Sequence, residues 1–542
     1  MAVLSKARAA FPPLRPTRGL VVVLAVFLAA LALLTLLHGR DEGSSRRLSG
    51  EEAVAAALRD PPSRFALTKS DYTRYRTTPI DDRLMRVSFF DGPQIVLDVA
   101  VAPDGTIRNR IPYSANYIRV GSEIGQDPFV LLLLTFAFVL AVARSPLEGR
   151  RNRDVAALIS FSVPVMLVNA RLFEASVVAA VVPLAYLMVR CLRVGFAGSG
   201  ETESFSPLWD EITTGWHPRG RMRALIATTV AAAVVMALLT VPGGLVSDVA
   251  FASMAGATEL THGLLPYGHL PQNELVHGDT YPLLAYALYV PAALVSPVKG
   301  AFDNLDGGLW VALAMALAGA VAMFAAGRRH SETRSSAAGL RMALAWLTFP
   351  PVMIAASSGS NDVAAGAVIA IAAALLARPA WSALAVTFAG WIKLAPFFAL
   401  PVIVARARGR ELVRALAATA LLSAAVVGWI VALDGIGGVG DMLNALSFQA
   451  ERGSLLSPWS LIGWHPAQLA FQAGVLTLIC VAAVRAARDR SIASNPRRVA
   501  ALAAGIVLAL QLGAGYWSYT YLAWVFPLIA IALLAERRSV PA

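Results

Sequence analysis

Apolar stretches recur along the whole chain, and each ends at arginines or at turn residues. A helix that crosses a bilayer needs about 20 mostly apolar residues and satisfies its own backbone hydrogen bonds, which lipid cannot do. Fourteen such spans are predicted, at 19–38, 127–144, 154–170, 173–192, 223–242, 309–326, 340–357, 363–378, 379–393, 395–406, 413–433, 466–486, 498–514 and 517–535. The span at 395–406 is short for a full crossing, so it begins earlier or is shielded by its neighbours.

The placement of charge orients these spans. Arginines cluster between them: Arg150, Arg151 and Arg153; Arg328 and Arg329; Arg406, Arg408 and Arg410; Arg497 and Arg498. With the N-terminus inside, the count puts every cluster in the cytoplasm and both termini inside, as the positive-inside rule requires. The outer segments are then almost free of basic residues: 243–280 has no Lys or Arg, and 434–464 has only Arg452. The apolar segment 281–297 is short and is interrupted by Pro282, Pro291 and Pro297. Were it to cross, every later loop would flip and Arg328 and Arg329 would face outward. It is therefore predicted as a juxtamembrane or re-entrant element on the outer face, covered by protein or lining a cavity. A true span with one loop breaking the rule is the alternative.

Composition agrees with a membrane protein. The 542 residues are 57% hydrophobic and 15% charged, with mean hydropathy +0.63, against about 25% charged in soluble domains. The net charge of +12 sits in short loops, so it implies a lipid bilayer and no nucleic acid. Cys191 and Cys480 fall near cytoplasmic helix ends and imply no disulfide framework. A basic stretch (Lys6, Arg8, Arg15, Arg18) precedes the first apolar run. That run could be a signal peptide, but its length and the lack of a small-residue cleavage site favour an uncleaved anchor. Residues 39–126 are polar and fall outside. A short helix at 51–59, strand-like alternation at 83–90 and 94–101, and a Pro103-Asp104-Gly105 turn predict a small α+β extracytoplasmic domain. Its helix-then-hairpin order resembles PepSY-type domains without any shared motif. The inner loop at 194–222 carries Trp209 and Trp216, and no internal repeat suggests transporter symmetry.

Polar residues able to do chemistry gather in the outer loops. Ser247-Asp248, then Thr261-His262-Gly263-Leu264-Leu265-Pro266-Tyr267, then His277-Gly278-Asp279-Thr280-Tyr281-Pro282 place acids, histidines and tyrosines beside the membrane with no local base to neutralise Asp248 or Asp279. Such an acid is either simply solvated or functional. Asp248 with Asp279 could share a divalent cation. The chain has only four lysines, and Lys393 lies at a span's outer end in Gly390-Trp391-Ile392-Lys393-Leu394-Ala395-Pro396. It snorkels there or has a partner. Arg452, in Ala450-Glu451-Arg452-Gly453-Ser454, either pairs with Glu451 or a headgroup, or grips a phosphate through two parallel hydrogen bonds. Ser358-Gly359-Ser360-Asn361-Asp362 forms a polar outer turn, and Tyr516-Trp517-Ser518-Tyr519-Thr520-Tyr521 an aromatic cluster that suits an interfacial belt better than a sugar platform.

These motifs, in this order and on one membrane face, resemble the GT-C superfamily. The likeness is closest to the polyprenyl-phosphate-sugar-dependent mannosyltransferases and arabinofuranosyltransferases of actinobacteria. Those have an Asp just after a span, a Gly-x-x-Pro-Tyr element and a Tyr-Pro element, matched here by Asp248, Gly263 to Tyr267, and Tyr281-Pro282. They also have Lys-x-x-Pro before an arginine-rich inner loop, matched by Lys393 and Pro396, and an Arg-Gly with a following Ser, matched by Arg452-Gly453. Leu283 stands where relatives carry a second proline, and Ser360 where they carry glutamine. The resemblance covers about residues 223–538. It implies an all-α polytopic GT-C fold of about fourteen transmembrane helices with the small α+β domain attached. The predicted division is 1–38 (N-terminus and first helix), 39–126 (outer domain), 127–222 (additional helices and inner loop) and 223–542 (catalytic module). By that resemblance the chain transfers mannose or arabinose from a polyprenyl-phosphate donor to a glycolipid, glycan or protein acceptor on the outer face of the cytoplasmic membrane. Asp248 would be the general base, and Lys393 and Arg452 would hold the donor phosphate. Tyr267, His277, Asp279, Tyr281 and Asn361 would line the substrate pocket. Arginine-over-lysine usage suits an actinobacterial source. A transporter or lipid flippase is the alternative; it would place charges or broken helices in mid-span.

Overall fold

The computed structural model describes residues 48–68, 72–79, 85–91, 94–112, 127–145, 150–169, 173–198, 206–244, 246–270, 278–298, 305–332, 334–451 and 456–535. The expected first span, at 19–38, lies outside the described residues.

The first described part has its own apolar core. Helix α1 (Gly50–Arg59) opens on a capping box: Ser49 Oγ accepts from the Glu52 amide at 3.2 Å while the Glu52 carboxylate accepts from the Ser49 amide at 2.9 Å. Helix α2 (Pro61–Thr68) follows. Strands β1 (Arg74–Pro79), β2 (Met85–Asp91), β3 (Gln94–Val101) and β4 (Ile107–Pro112) then pair antiparallel in sequential order. The register sets Val87 opposite Val99 and Phe89 opposite Leu97. All four are buried, together with Ala53 and Ala57 of α1. Alternation puts these side chains on one sheet face, and the helix covers it.

Helices make up nearly all of the rest: α3 (Pro128–Val142), α4 (Arg150–Ile159), α5 (Ser162–Asn169), α6 (Phe173–Ala197), α7 (Pro218–Thr240), α8 (Asp248–Thr261), α9 (Asp306–His330), α10 (Ser336–Thr348), α11 (Pro350–Ser357), α12 (Asn361–Ala374), α13 (Pro379–Gly390), α14 (Arg410–Glu451), α15 (His465–Arg488), α16 (Pro496–Gly513) and α17 (Leu522–Ile529). Among the described residues six helices are long and apolar enough to cross a membrane: Ala175–Ala197, Pro218–Thr240, Asp306–His330, Arg410–Ser447, His465–Arg488 and Pro496–Gly513. Helices α10 and α11, bent by 56°, add a seventh if they form one span. This is a polytopic, mainly helical membrane protein. The remaining expected spans among the described residues correspond to shorter or broken helices. The segment at 395–406 is a 3-10 turn, Ala395–Ala399, followed by Leu400–Ala405. The bend at 349–350 has a plain cause: Pro350 and Pro351 open α11 and cannot continue the preceding helix.

Two segments expected to lie outside the crossing helices, the juxtamembrane or re-entrant element at 281–297 and the outer loop from 434, are partly helical. Residues 281–297 hold two short helices, Leu284–Ala287 and Val290–Val295, neither long enough to cross. Helix α14 runs beyond the expected end of its span at 433. It breaks at Asp434 and Gly435, then continues as a second helix to Glu451. Gly435 has φ 61° and ψ −159°, a conformation open essentially to glycine alone. The stretch Gly435-Ile436-Gly437-Gly438 reads as a loop by composition. Past the break at Gly435 the chain is helical, with Gly438 and Met442 buried on one face of the helix.

The arginines that mark one end of the bundle also complete its helices. The last carbonyls of a helix have no partner within it. Arg151 donates to the Val142 carbonyl, Arg329 to Ala374, Arg406 to Leu376, Arg408 to Ala487, Arg497 to Ala532 and Arg498 to Gly195 and Phe196. Positive charge there also suits the negative end of each helix dipole. Asp248, Asp306 and Asp362 lie in the first turns of α8, α9 and α12. For α9 and α12 that is the end opposite the arginines. A single apolar core joins α3 through the last helix.

Candidate functional site

At the acid-bearing end of α12, Ser360 caps the helix by accepting from the Asp362 amide at 3.2 Å. The residue before it, Gly359, has φ +66°, and a Cβ there would fall 2.8 Å from the Ala250 Cβ. This tight turn points the Asp362 side chain inward, where it is 2% exposed. One carboxylate oxygen, Oδ2, accepts from Ser360 Oγ and from Thr520 Oγ1, both at 2.8 Å. The other, Oδ1, accepts from Trp524 Nε1 at 3.0 Å and pairs with Lys393 Nζ at 3.1 Å. Lys393 is 7% exposed, so it does not snorkel. A buried charge needs a partner and hydrogen bonds: each has the other as partner, and the Asp362 carboxylate is fully hydrogen-bonded. The Lys393 ammonium also lies 4.2 Å from the Tyr281 ring centroid and 5.7 Å from that of Tyr521. Both rings present a negative face to the cation.

Lys393 sits in the turn that ends α13, its amide donating to the Ala389 carbonyl at 2.9 Å. The neighbouring Trp391 carbonyl accepts from the Leu284 amide at 3.1 Å. That bond ties the lysine turn to the chain carrying Tyr281. Tyr281 is itself pinned on both sides. Its amide donates to Tyr286 Oη at 3.1 Å, and its carbonyl accepts from Tyr267 Oη at 3.1 Å. Tyr286 donates on to the Gly278 carbonyl at 3.0 Å. Asp279 Oδ2 accepts from the Gly268 amide at 3.0 Å, closing the two arms of the loop on each other. Gln449, on the second part of α14, donates to the Thr280 carbonyl at 3.0 Å. Tyr267 is buried, and that burial, followed by the charge of Asp279, pushes its phenol well above the ordinary value.

Asp248 is exposed at the first position of α8. Its Oδ1 accepts from the Val249 amide at 2.9 Å. Ser247, just before it, both caps the helix and donates through Oγ to the Ser358 carbonyl at 3.0 Å. The start of α8 is thus fastened to the turn that leads into Asp362. Asn361 strengthens the same link, its Nδ2 donating to Ser253 Oγ at 3.3 Å. Among the described residues no hydrogen bond or ion pair joins Asp248 to Lys393. Buried polar atoms at this end with no protein partner among the described residues include Asn361 Oδ1, Thr280 Oγ1 and Tyr519 Oη. Buried polar atoms are rarely left so, and each can take a hydrogen bond from a ligand hydroxyl or water.

The structure therefore brings Lys393 and Tyr281 together, and ties Tyr267, Asp279 and Asn361 into the scaffold that holds them. His277 and Arg452 lie outside the described residues. Asp362, Thr520, Trp524 and Gln449 are the residues that the sequence did not single out. The aromatic cluster is a correction: Trp517 and Tyr519 are 2% and 1% exposed, and Trp517 donates to Gln511 Oε1 at 3.1 Å. They are core residues, and a membrane belt requires exposure. Among the described residues no three His, Cys, Asp or Glu side chains are placed to hold a metal ion.

Residues 280–513 match the model of glycosyltransferase family 87. Comparison with curated proteins and with solved structures gives no match. The matched stretch contains Tyr281, Asp362, Lys393 and Gln449, and it begins beyond Asp248. It supports a glycosyltransferase of the GT-C type.

Proposed function

We propose that the protein is a membrane glycosyltransferase that moves a sugar, mannose or arabinose, from a polyprenyl phosphate to an extracytoplasmic glycolipid, glycan or protein. The family match over a stretch that contains the buried Asp362–Lys393 pair carries this proposal. An acceptor hydroxyl oxygen attacks the anomeric carbon, and the bond from that carbon to the donor phosphate oxygen breaks. Asp248 takes the hydroxyl proton. Its exposure at a helix start, with one oxygen held by a backbone amide, suits a general base. The polyprenyl phosphate leaves with its negative charge, and positive charge there stabilises the departure. Lys393 and Arg452 supply that charge. Tyr281 and the side-chain oxygens of Thr280 and Asn361, which have no protein partner among the described residues, line the sugar pocket, Tyr267 and Asp279 fix its loop, and His277 is assigned to the same pocket.

The test is transfer of radiolabelled sugar from polyprenyl-phosphate-mannose and polyprenyl-phosphate-arabinose in membranes holding wild type or Asp248→Asn at matched abundance. Wild type transfers one of the two sugars, and Asp248→Asn falls by about 10²–10⁴-fold, the contribution of a general base. Transfer by both proteins would move the base elsewhere, with Asp279 next. Absence of transfer by wild type from both donors would overturn the donor assignment.

A further inference from the structure

Resting on the phosphate role given to Lys393, we propose that Asp362 is a positioning residue for donor binding: it holds the Lys393 ammonium beneath Tyr281 with two N–H groups left for a phosphate. Three neutral donors and one ammonium fill the Asp362 carboxylate, two on each oxygen. A carboxylate accepts about four hydrogen bonds. Asp362 therefore has no lone pair left to take a proton from an acceptor hydroxyl, which excludes it as the base. Its partners come from three separate places: its own helix cap, the turn after α13, and the segment 520–524. Its position is over-determined, as that of a side chain that must orient another should be.

Lys393 is held much less completely. An ammonium has three N–H donors, and one goes to Asp362. Among the described residues the others meet only the faces of Tyr281 and Tyr521. A ring face is a weaker partner than a phosphate oxygen, so an arriving phosphate can exchange for it while the Asp362 pair stays intact.

Charge alone predicts the opposite consequence for a loss of Asp362. Removing a carboxylate beside a cation leaves a net positive site, which should bind phosphate more tightly. If Asp362 acts by position, its loss frees the lysine to swing away, and phosphate binds more weakly. Asp362→Asn separates the two. The amide is nearly isosteric, and the Ser360 and Thr520 hydroxyls can rotate to accept from it while Oδ1 still takes Trp524 Nε1 but, now uncharged, no longer holds the ammonium by an ion pair.

The experiment measures binding of undecaprenyl phosphate, which carries no sugar, to the full chain in lipid nanodiscs, with thermal unfolding alongside. Wild type, Asp362→Asn, Lys393→Met and the double variant Asp362→Asn/Lys393→Met are compared. Each single variant leaves one polar or charged group in the protein interior without its counterpart, and unfolds at a lower temperature. The double variant removes both charges and recovers most of that loss. All three bind the probe about ten-fold or more weakly, the scale of one lost charged hydrogen bond. A folded Asp362→Asn that binds as wild type does, or more tightly, overturns the proposal and leaves the phosphate role of Lys393 standing. A double variant that regains both stability and binding overturns it too, because the pair would then be only a structural staple. Failure of wild type to bind the probe removes the phosphate role itself and the proposal with it.

Discussion

Two tyrosine hydroxyls pin the backbone of Tyr281, and one of them carries a pH signature. Burial, then the charge of Asp279, raises the Tyr267 phenol above its ordinary value, while an unfolded chain ionises near pH 10. The folded state therefore holds this proton more tightly than the unfolded one. The stabilisation is complete below about pH 10 and is lost as pH rises above it. Tyr267→Phe should lower stability by about 1 kcal/mol at neutral pH, for one buried hydrogen bond. It should also flatten the loss of thermal stability between about pH 9.5 and 11. Unfolding temperatures of both proteins across that range check it, and parallel curves would refute it. At this scale, what was legible in the sequence depended on rarity. Lys393 stands out because the chain has so few lysines, and Asp248 because its loop has no base. Asp362 does not stand out, since a polar turn between spans is expected to hold an acid. Its meaning comes from Lys393, Thr520 and Trp524, and pairs separated by that much sequence leave no local pattern.

The second part of α14 is an element that the sequence disguised. Four glycines between 435 and 440 suggest an irregular loop, and a helix there is weakened by each of them. Two observations explain the helix. At Gly438, a Cβ would fall 2.6 Å from Leu265 Cδ1, so glycine lets the helix lie close against Leu265 without displacing its side chain. At its far end, Gln449 holds the Thr280 carbonyl. The helix therefore straps the loop that presents Tyr281, hinged at Gly435. Gly435→Ala forces a side chain into a glycine-only conformation at about 1–3 kcal/mol, and the strap should loosen. Hydrogen exchange should then speed up in residues 436–451 and also in 278–286, where nothing was mutated. Faster exchange confined to 436–451 would show that the strap does not hold the loop. Short breaks of this kind, like the bend at Pro350, set the real helix lengths. Hydropathy windows run across them, which is why continuous spans were expected at 340–357 and 154–170.

For the molecule as a whole, the arginine clusters were visible from the sequence as loop charges, but their structural work was not. Long guanidinium side chains reach the carbonyl ends of neighbouring helices, and which end each one reaches is a property of packing. Arg498 shows the consequence. It donates from α16 to the last turn of α6, through the Gly195 and Phe196 carbonyls at 2.9 and 2.6 Å. The same two helices exchange glycines: a Cβ at Gly195 would meet Leu502 Cδ2 at 2.5 Å, and one at Gly505 would meet Leu192 Cδ2 at 2.6 Å. In lipid, apolar burial does not drive helices together; close packing of small residues and polar contacts do. Helix α6, which the family resemblance leaves unexplained, is thus fitted to a helix inside the family match. Gly505→Leu should wedge this contact apart at about 1–3 kcal/mol, without touching the Asp362–Lys393 centre. A disulfide trap between Cys residues placed at 195 and 502, in a background without Cys191 and Cys480, reads the contact directly. It should form readily in the otherwise unaltered chain and poorly with Gly505→Leu, while binding of undecaprenyl phosphate falls little. Equal cross-linking in both would mean that Gly505 does not set this interface.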